Sequence, residues 1–172
     1  LYESVSIIDD GDGICYEELA YKFKKFNESQ KKSSKTTNLI KGKNGYGRFT
    51  FFKFANYADW STAYEKADKL CKYNISIKNE TLNDYTPTEP EFALMGQKGT
   101  TVIFREIQND ISPEFIENIL KPYLQSTFAW FLELNSEFKI FIDNKELEYD
   151  NMMSDSQNVD ICAIGKDFKC KY

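Results

Sequence analysis

Two short glycine clusters constrain the fold of this chain more than any other feature. Five of its eight glycines lie within residues 9–13 (DDGDG) and 42–47 (GKNGYG). Glycine is favoured where the backbone must turn at positive φ or approach another group closely. The first cluster follows the apolar run 5–8, which predicts a strand, and the second leads into an aromatic run that predicts a helix over about 45–56. A strand ending in an acidic glycine turn and a glycine loop at a helix start together predict a nucleotide pocket.

The composition excludes several classes of protein. With 172 residues and 41% hydrophobic residues, the chain can bury the core of one domain. It contains no histidine, which excludes Ser-His-Asp and Cys-His catalysis and histidine-ligated zinc. Its four cysteines form no C-x-x-C pair and are expected to be reduced thiols in a cytoplasmic protein. No apolar run approaches the roughly 18 residues of a membrane span, so we expect no membrane association.

Positive charge is concentrated between the two glycine clusters. From residue 22 to residue 48, eight lysines and Arg48 stand against Glu28, whereas the whole chain has a net charge of −5. The lysines form either a solvated surface or a region that attracts phosphate groups. Segment 27–44 has few apolar residues, so we predict a long, mobile loop that serves as a lid. The acidic pI of about 4.9 argues against general nucleic-acid binding.

The rest of the pattern predicts an α+β fold. We expect an amphipathic helix over 16–26, strands over 60–66, 72–81, 99–104 and 138–142, and a weak strand over 159–164. Ser112 and Pro113 predict a helix start, and Pro122 predicts a bend before the helix continues to about residue 131. The expected architecture is a two-layer sandwich, a mostly antiparallel mixed sheet with helices on one face, over residues 1–150. Residues 151–172 would be a tail or the start of a following domain.

Three common glycine motifs fail on residues that their chemistry requires. A P-loop needs Lys followed by Ser or Thr where this chain has Arg48 and Phe49. A dinucleotide-binding fingerprint needs a third glycine where Thr50 or Tyr16 stands. A calcium loop over this region would need ligands in place of Ile8 and Leu19.

A different set of motifs resembles the GHKL ATPase superfamily. Its pattern is D-x-G-x-G after a strand, G-x-x-G-x-G after a long loop, and a later Gly-Thr that opens a strand, here Gly99-Thr100. Members include DNA gyrase B, the ninety-kilodalton heat-shock chaperone, sensor histidine kinases and the mismatch-repair protein MutL. The resemblance covers about residues 5–142. It implies the Bergerat ATP-binding fold, with ATP as ligand and Mg²⁺ held through the nucleotide.

The resemblance also implies roles for individual residues. Asp9 would accept a hydrogen bond from the adenine amino group, with Thr100 supporting it directly or through water. Taken alone, Asp9 would be a turn residue and Thr100 an ordinary strand threonine. The second cluster would offer backbone N–H groups to the phosphates, and Lys43 either neutralises phosphate charge or is solvated. Asp10 and Asp12 are expected to be solvated. The cofactor-binding residues implied are Asp9, Gly11, Gly13, Gly42, Lys43, Asn44, Gly45, Tyr46, Gly47, Arg48 and Thr100.

The sequence departs from the family at its beginning. In these ATPases a helix before the aspartate strand supplies a glutamate that activates water and an asparagine that helps to hold magnesium. Only eight residues precede Asp9, so we expect the 172-residue chain to lack that helix and to be inactive in hydrolysis. No catalytic or metal-binding residue is therefore assigned, and the question of enzymatic activity stays open.

The function implied first is the ATP-binding domain of a heat-shock chaperone-like or MutL-like ATPase. The chaperone-like branch carries an expected role in the stress response. Nucleotide binding and hydrolysis would act as a conformational switch, with a homodimer in the full-length protein. The client, a polypeptide or DNA, is not encoded in these motifs. The alternatives are a non-hydrolysing interaction module of the same fold and a DNA-associated ATPase of this superfamily.

Overall fold

The structure, a computed structural model, describes residues 2–23, 47–82, 84–109, 111–149, 158–163 and 166–171. Its contacts divide the chain into two compact units, an N-terminal unit (Leu1–Asp110) and a C-terminal unit (Ile111–Tyr172). The division of the sequence at residues 150 and 151 stays a prediction.

The N-terminal unit is built on a sheet of six strands among its described residues. They are β1 (Ser4–Asp9), β2 (Ala55–Lys66), β3 (Lys69–Lys78), β4 (Tyr85–Pro87), β5 (Glu91–Ala93) and β6 (Gly99–Ile107). The spatial order is β1-β6-β2-β3-β4, and β5 also pairs with β3. Every one of these pairings is antiparallel. The long strands β2 and β3 form the centre of the sheet, and β6 lies between them and the edge strand β1.

One face of this sheet carries the core. Along β3 the odd-numbered residues from Cys71 to Ile77 are buried and the even-numbered ones are exposed, as expected for a strand with one covered face. Two helical segments cover that face: a 3-10 turn (Tyr16–Glu18) that continues into α1 (Leu19–Lys22), and a 3-10 helix (Gly47–Lys53). The buried core cluster comprises Leu19, Phe23, Phe51, Ala55, Ala58, Trp60, Tyr64, Cys71, Tyr73, Ile75, Ile77 and Phe104. The predicted α+β fold, with helices on one face of a mostly antiparallel sheet, is confirmed.

Aromatic contacts hold the helical layer on the sheet. The Phe23 ring meets Trp60 edge to face at a centroid distance of 5.5 Å, and the Phe51 ring stacks on Phe104 at 6.2 Å. Pairs in these geometries add roughly 0.5–1.5 kcal/mol beyond the burial of their area. They come from segments far apart in sequence, so they fix the helices against the strands that follow them.

The segment after the second glycine cluster differs from the prediction. The sequence predicts a helix to about residue 56, but the 3-10 helix ends at Lys53 and β2 begins at Ala55. Ala55 pairs with Ile107, and the Gln108 N–H donates to the Phe54 carbonyl at 2.7 Å. The end of this segment thus joins the sheet, and strand pairing overrides the helix predicted from the density of its apolar residues. The predicted helix over 16–26 is described only as far as the turn at Phe23.

The C-terminal unit begins with the predicted helix start. Ser112 accepts the Phe115 N–H at 3.2 Å, with Pro113 at the first helical position. The helical stretch comprises α2 (Pro113–Phe115), a π-helical turn (Ile116–Leu120) and α3 (Lys121–Leu134). The wider turn ends at Leu120, two residues before Pro122, which has no amide hydrogen for an ordinary helical bond. The predicted bend at this point stays a prediction.

Two short hairpins follow in the C-terminal unit. They are formed by β7 (Phe141–Ile142) with β8 (Lys145–Glu146), and by β9 (Asn158–Ala163) with β10 (Lys166–Lys171). The first strand is shorter than predicted because Phe138 is held in a turn, where its N–H donates to the Asn135 carbonyl at 3.0 Å. None of the helices in the described part of the chain has the length and apolarity that crossing a bilayer requires.

Candidate nucleotide site

A row of polar side chains crosses the buried face of the sheet from its β1 edge. Asp9 pairs with Thr100 of β6, Thr100 pairs with Thr62 of β2, and Thr62 pairs with Tyr73 of β3. Directly opposed residues of antiparallel strands project on the same side. The three strands therefore present Asp9, Thr100 and Thr62 side by side, with the aspartate at the open edge. Two of the predicted site residues, Asp9 and Thr100, are brought together in this way.

Asp9 is exposed and available to a ligand. Its Oδ1 atom accepts the Gly11 N–H at 3.0 Å, which ties the carboxylate to the turn that follows β1. Within the described residues no hydrogen bond occupies the second oxygen, Oδ2. A carboxylate fixed through one oxygen and open at the other is an oriented hydrogen-bond acceptor at the edge of the sheet.

The glycine turn passes directly over the backbone of β2. Gly13 has φ +73°, and a Cβ atom at this position would lie 2.0 Å from the carbonyl oxygen of Ala63. No side chain fits there, and the conformation itself disfavours any residue with a Cβ. At Gly11 a Cβ atom would lie 2.9 Å from the Asp9 Oδ1 atom. Close approach to the backbone therefore requires glycine at position 13, whereas at position 11 a Cβ atom would crowd the Asp9 carboxylate.

Thr62 joins the turn to the polar row. Its side chain is 1% exposed, and its Oγ1 atom accepts the Ile14 N–H at 2.9 Å. The same oxygen lies 3.1 Å from the Oγ1 atom of Thr100 and 3.3 Å from the carbonyl oxygen of Gly99. Thr62 lies outside the motifs and was not among the predicted site residues. One feature of the sequence could have indicated it: Thr62 is a hydroxyl residue between Trp60 and Tyr64, in the alternating residues of β2 that are buried in the core.

A cavity of about 280 Å³ lies beside the glycine turn. Its lining includes the carboxylates of Asp12, Glu18 and Glu65 and the ammonium group of Lys98. Lys98 Nζ lies 2.8 Å from Asp12 Oδ1, and this contact raises the pKa of Lys98. Three acidic groups against one basic group disfavour a triphosphate here, so we do not assign the phosphates to this cavity.

The comparisons with known proteins agree with this geometry. A model of the histidine kinase-, DNA gyrase B- and HSP90-like ATPase family matches residues 2–100, more than half of the chain. The chain belongs to this family. The match contains β1, the glycine turn, β2 and Gly99-Thr100, which are the segments that the polar row brings together. A search of curated protein sequences finds no match.

Solved structures with the fold of this GHKL domain include ATPase regions of topoisomerase II. One is the ATPase region of Saccharomyces cerevisiae topoisomerase II bound to ICRF-187 (dexrazoxane): TM-score 0.57, 16% identity, covering 87% of this chain and 42% of that one. Another is the ATPase and transducer domains of DNA topoisomerase II from Balamuthia mandrillaris: TM-score 0.57, 14% identity, covering 85% of this chain and 40% of that one. The chain thus spans about two fifths of these proteins. At such identities the likeness establishes the fold.

The described part of the GHKL domain offers one oriented hydrogen-bond acceptor at the predicted adenine site. The open carboxylate oxygen of Asp9 suits an amino group, and the glycine turn beside it packs on the backbone of β2 without a side chain. Gly47 and Arg48 lie at the start of the 3-10 helix Gly47–Lys53. The described residues contain no group of three potential metal ligands, and Mg²⁺ binding through the nucleotide stays a prediction. Outside the described residues lie the predicted lid (27–44) and five predicted phosphate contacts, Gly42, Lys43, Asn44, Gly45 and Tyr46.

An ion pair fixes the segment that follows the glycine turn of the GHKL domain. The Glu17 carboxylate pairs with the Lys66 ammonium group at the end of β2 and accepts the Cys15 thiol at 3.1 Å. The hydrogen bond from Lys66, followed by that from Cys15, lowers the pKa of Glu17 from 4.5 to about 2. Burial, followed by the contact with Glu17, raises the pKa of the Cys15 thiol. The ionised form of Glu17 is therefore favoured in the folded state.

This shift predicts a loss of stability in acid. A carboxyl group whose folded-state pKa is lowered stabilises the fold above its unfolded pKa and loses that effect as the pH falls toward the folded value. For Glu17 the window runs from about pH 4.5 down to about 2. The melting temperature of Glu17→Gln should therefore fall less steeply with pH across this window than that of the wild type.

The matched controls for this measurement are Lys66→Met and the double variant. Both side chains are about half exposed, so we expect only a small difference at neutral pH. If the melting temperature of Glu17→Gln, or that of the double variant, changes with pH as the wild-type melting temperature does, the ion pair does not stabilise this segment.

Proposed function

We propose that this domain binds ATP, with the adenine amino group on Asp9, and that nucleotide binding and hydrolysis act as a conformational switch in the full-length protein. The observation that carries the proposal is the polar row at the sheet edge. There Asp9 and Thr100 lie beside a glycine turn that packs too closely on β2 for a side chain at Gly13. Membership of the ATPase family supports ATP as the ligand.

The residues of the row account for a preference for adenine. The exocyclic amino group of adenine is a donor, which an ionised carboxylate accepts with a charge-assisted hydrogen bond. Guanine carries a carbonyl oxygen at the equivalent ring position, and that oxygen would face the negative charge of Asp9. A site built to accept a substrate N–H discriminates strongly, because a mismatched ligand leaves its polar groups unpaired.

Asp9→Asn tests this proposal. The amide has no charge and offers donors as well as an acceptor, so ATP binding should weaken by about 1–3 kcal/mol, the value of a hydrogen bond to a charged group. Calorimetry with ATP and GTP on the full-length protein measures both affinity and preference. Asp10→Asn is the control, because it makes the same change one residue away and outside the row. Equal binding of ATP and GTP by the wild type, or unchanged binding by Asp9→Asn, contradicts the proposal.

The kind of ATPase determines which client the switch acts on, and we consider two kinds. A heat-shock chaperone-like or MutL-like ATPase follows from the motifs of the second glycine cluster. A DNA-associated ATPase is favoured by the structural likeness to topoisomerase II ATPase regions, which supports the fold and leaves the client to experiment. ATP turnover of the full-length protein with duplex DNA, compared with turnover with an unfolded polypeptide, separates a DNA client from a polypeptide client. Stimulation by DNA that declines steeply with salt supports a DNA-associated or MutL-like ATPase, whereas stimulation by the polypeptide alone supports a chaperone-like one.

A further inference from the structure

Thr62 is the least exposed residue of the polar row, and it belongs to none of the three sequence motifs. It lies on β2, 48 residues from Ile14 and 38 from Thr100, yet its single hydroxyl contacts both. We propose that Thr62 is a positioning residue for the adenine site, which holds the glycine turn on the sheet and sets the hydrogen-bonding state of Thr100. This proposal rests on the proposed function, because it concerns the same site.

The hydrogen-bonding capacity of a hydroxyl supports this role. Thr62 can donate one hydrogen and accept two, and the Ile14 N–H uses one of its acceptor positions. If Thr62 donates to the Gly99 carbonyl, Thr100 donates to Thr62 and has only lone pairs left for a ligand or water. If Thr62 donates to Thr100, the Thr100 proton is left for a ligand. In both arrangements Thr62 restricts what Thr100 can do at the adenine site.

The same hydroxyl controls the position of the turn. The Ile14 N–H is part-buried and belongs to the residue after Gly13, so losing its acceptor would leave a polar group unpaired beside β2. The turn would then be free to move away from β2. Because the turn is tied to Asp9 through the Gly11 N–H, its movement would also misplace the carboxylate that meets adenine.

Packing alone does not require a threonine at this position. The other residues that β2 directs into this face, Ala58, Trp60 and Tyr64, are apolar or aromatic, and valine has the shape of threonine without its hydroxyl. Thr62→Val therefore keeps the strand and the volume while removing the hydrogen bonds. Thr62→Ser keeps the hydroxyl and loses only a methyl group. These two variants separate positioning from packing.

The experiment compares Thr62→Val, Thr62→Ser and the control Thr101→Val in the full-length protein. Thr101 neighbours Thr100 on β6, but it projects to the opposite face of the sheet. We expect Thr62→Val to weaken ATP binding about 10-fold, as for the loss of one to two net hydrogen bonds, and to narrow the preference for ATP over GTP. Hydrogen exchange at the Ile14 amide should become faster. Thr62→Ser should restore all three properties, and Thr101→Val should leave them unchanged.

The outcomes of this experiment are distinct. If the wild type binds ATP and Thr62→Val binds it equally well with a protected Ile14 amide, Thr62 is not a positioning residue, and the proposed function stands. The same conclusion follows if Thr62→Ser is as defective as Thr62→Val, since packing would then explain the loss. If the wild type binds neither ATP nor GTP, the proposed function fails and this role for Thr62 fails with it.

Discussion

Gly13→Ala should be among the most damaging single substitutions in the N-terminal unit, destabilising the fold by about 2–5 kcal/mol. Two effects add at this position. The backbone has φ +73°, which a residue with a Cβ adopts at a cost, and the new methyl group would lie 2.0 Å from the Ala63 carbonyl oxygen. That oxygen belongs to a central strand paired on both sides, so β2 cannot move to relieve the overlap. The turn must move instead, and ATP affinity should fall with stability.

Chemical denaturation of the purified protein measures the change in the free energy of unfolding, and calorimetry measures ATP affinity. Gly96→Ala is the matched control. Gly96 also has a positive φ, +139°, but a Cβ atom there would meet the Lys72 Nζ atom at 2.8 Å, the far end of a flexible side chain. If the two variants are equally stable, backbone conformation alone sets the cost, and the close packing of the turn on β2 is not important.

The parts of the site that local sequence encodes could be predicted. The strand–turn pattern at 5–13 and the Gly-Thr at 99–100 correspond to β1, its turn and the start of β6, because each is fixed by glycines and apolar residues within a few positions. Their arrangement side by side follows from pairing across the sheet. A resemblance to a known family can supply such pairing, whereas periodicity cannot.

Thr62 could not be predicted because its partners are distant in sequence. Its role depends on the register of β2 against β6, which pairs residues 38 positions apart. The strands on either side of the β2–β3 turn were predicted, but its conformation was not: Ala67 and Asp68 both have positive φ, as a type I′ hairpin requires, although neither is glycine or asparagine. Ten pairs of residues between β2 and β3 stabilise the hairpin and impose this conformation on unfavourable residues.

The helix predicted over 45–56 shows the converse error. The density of aromatic residues at 49, 51, 52 and 54 suggests a buried helix, yet a strand beginning at Ala55 gains a ladder with β6 and places Ala55 in the core. Apolar density indicates that a segment is buried, but it does not indicate whether a neighbouring strand is available to pair. The 3-10 helix therefore ends at Lys53.

Gly99→Ala should separate the stability of the domain from its affinity for nucleotide. Gly99 has φ +137°, and a Cβ atom would lie 2.2 Å from the Asp9 carbonyl oxygen and 3.1 Å from the Asp10 Cα atom. Here the backbone that is approached belongs to β1, which pairs only with β6 among the described strands. An edge strand can shift outward, so the loss of stability should be smaller than for Gly13→Ala, about 1–3 kcal/mol.

The outward shift, however, would carry the Asp9 carboxylate away from Thr100. ATP affinity should therefore fall at least as much in Gly99→Ala as in Gly13→Ala, although the fold is less damaged. Denaturation and calorimetry on both variants test this reversed order, with Gly96→Ala again as the control, because its φ of +139° nearly equals that of Gly99. If Gly99→Ala loses stability but keeps wild-type affinity for ATP, then Asp9 does not contact the nucleotide. The contact between β1 and β6 would in that case stabilise the sheet without positioning a ligand.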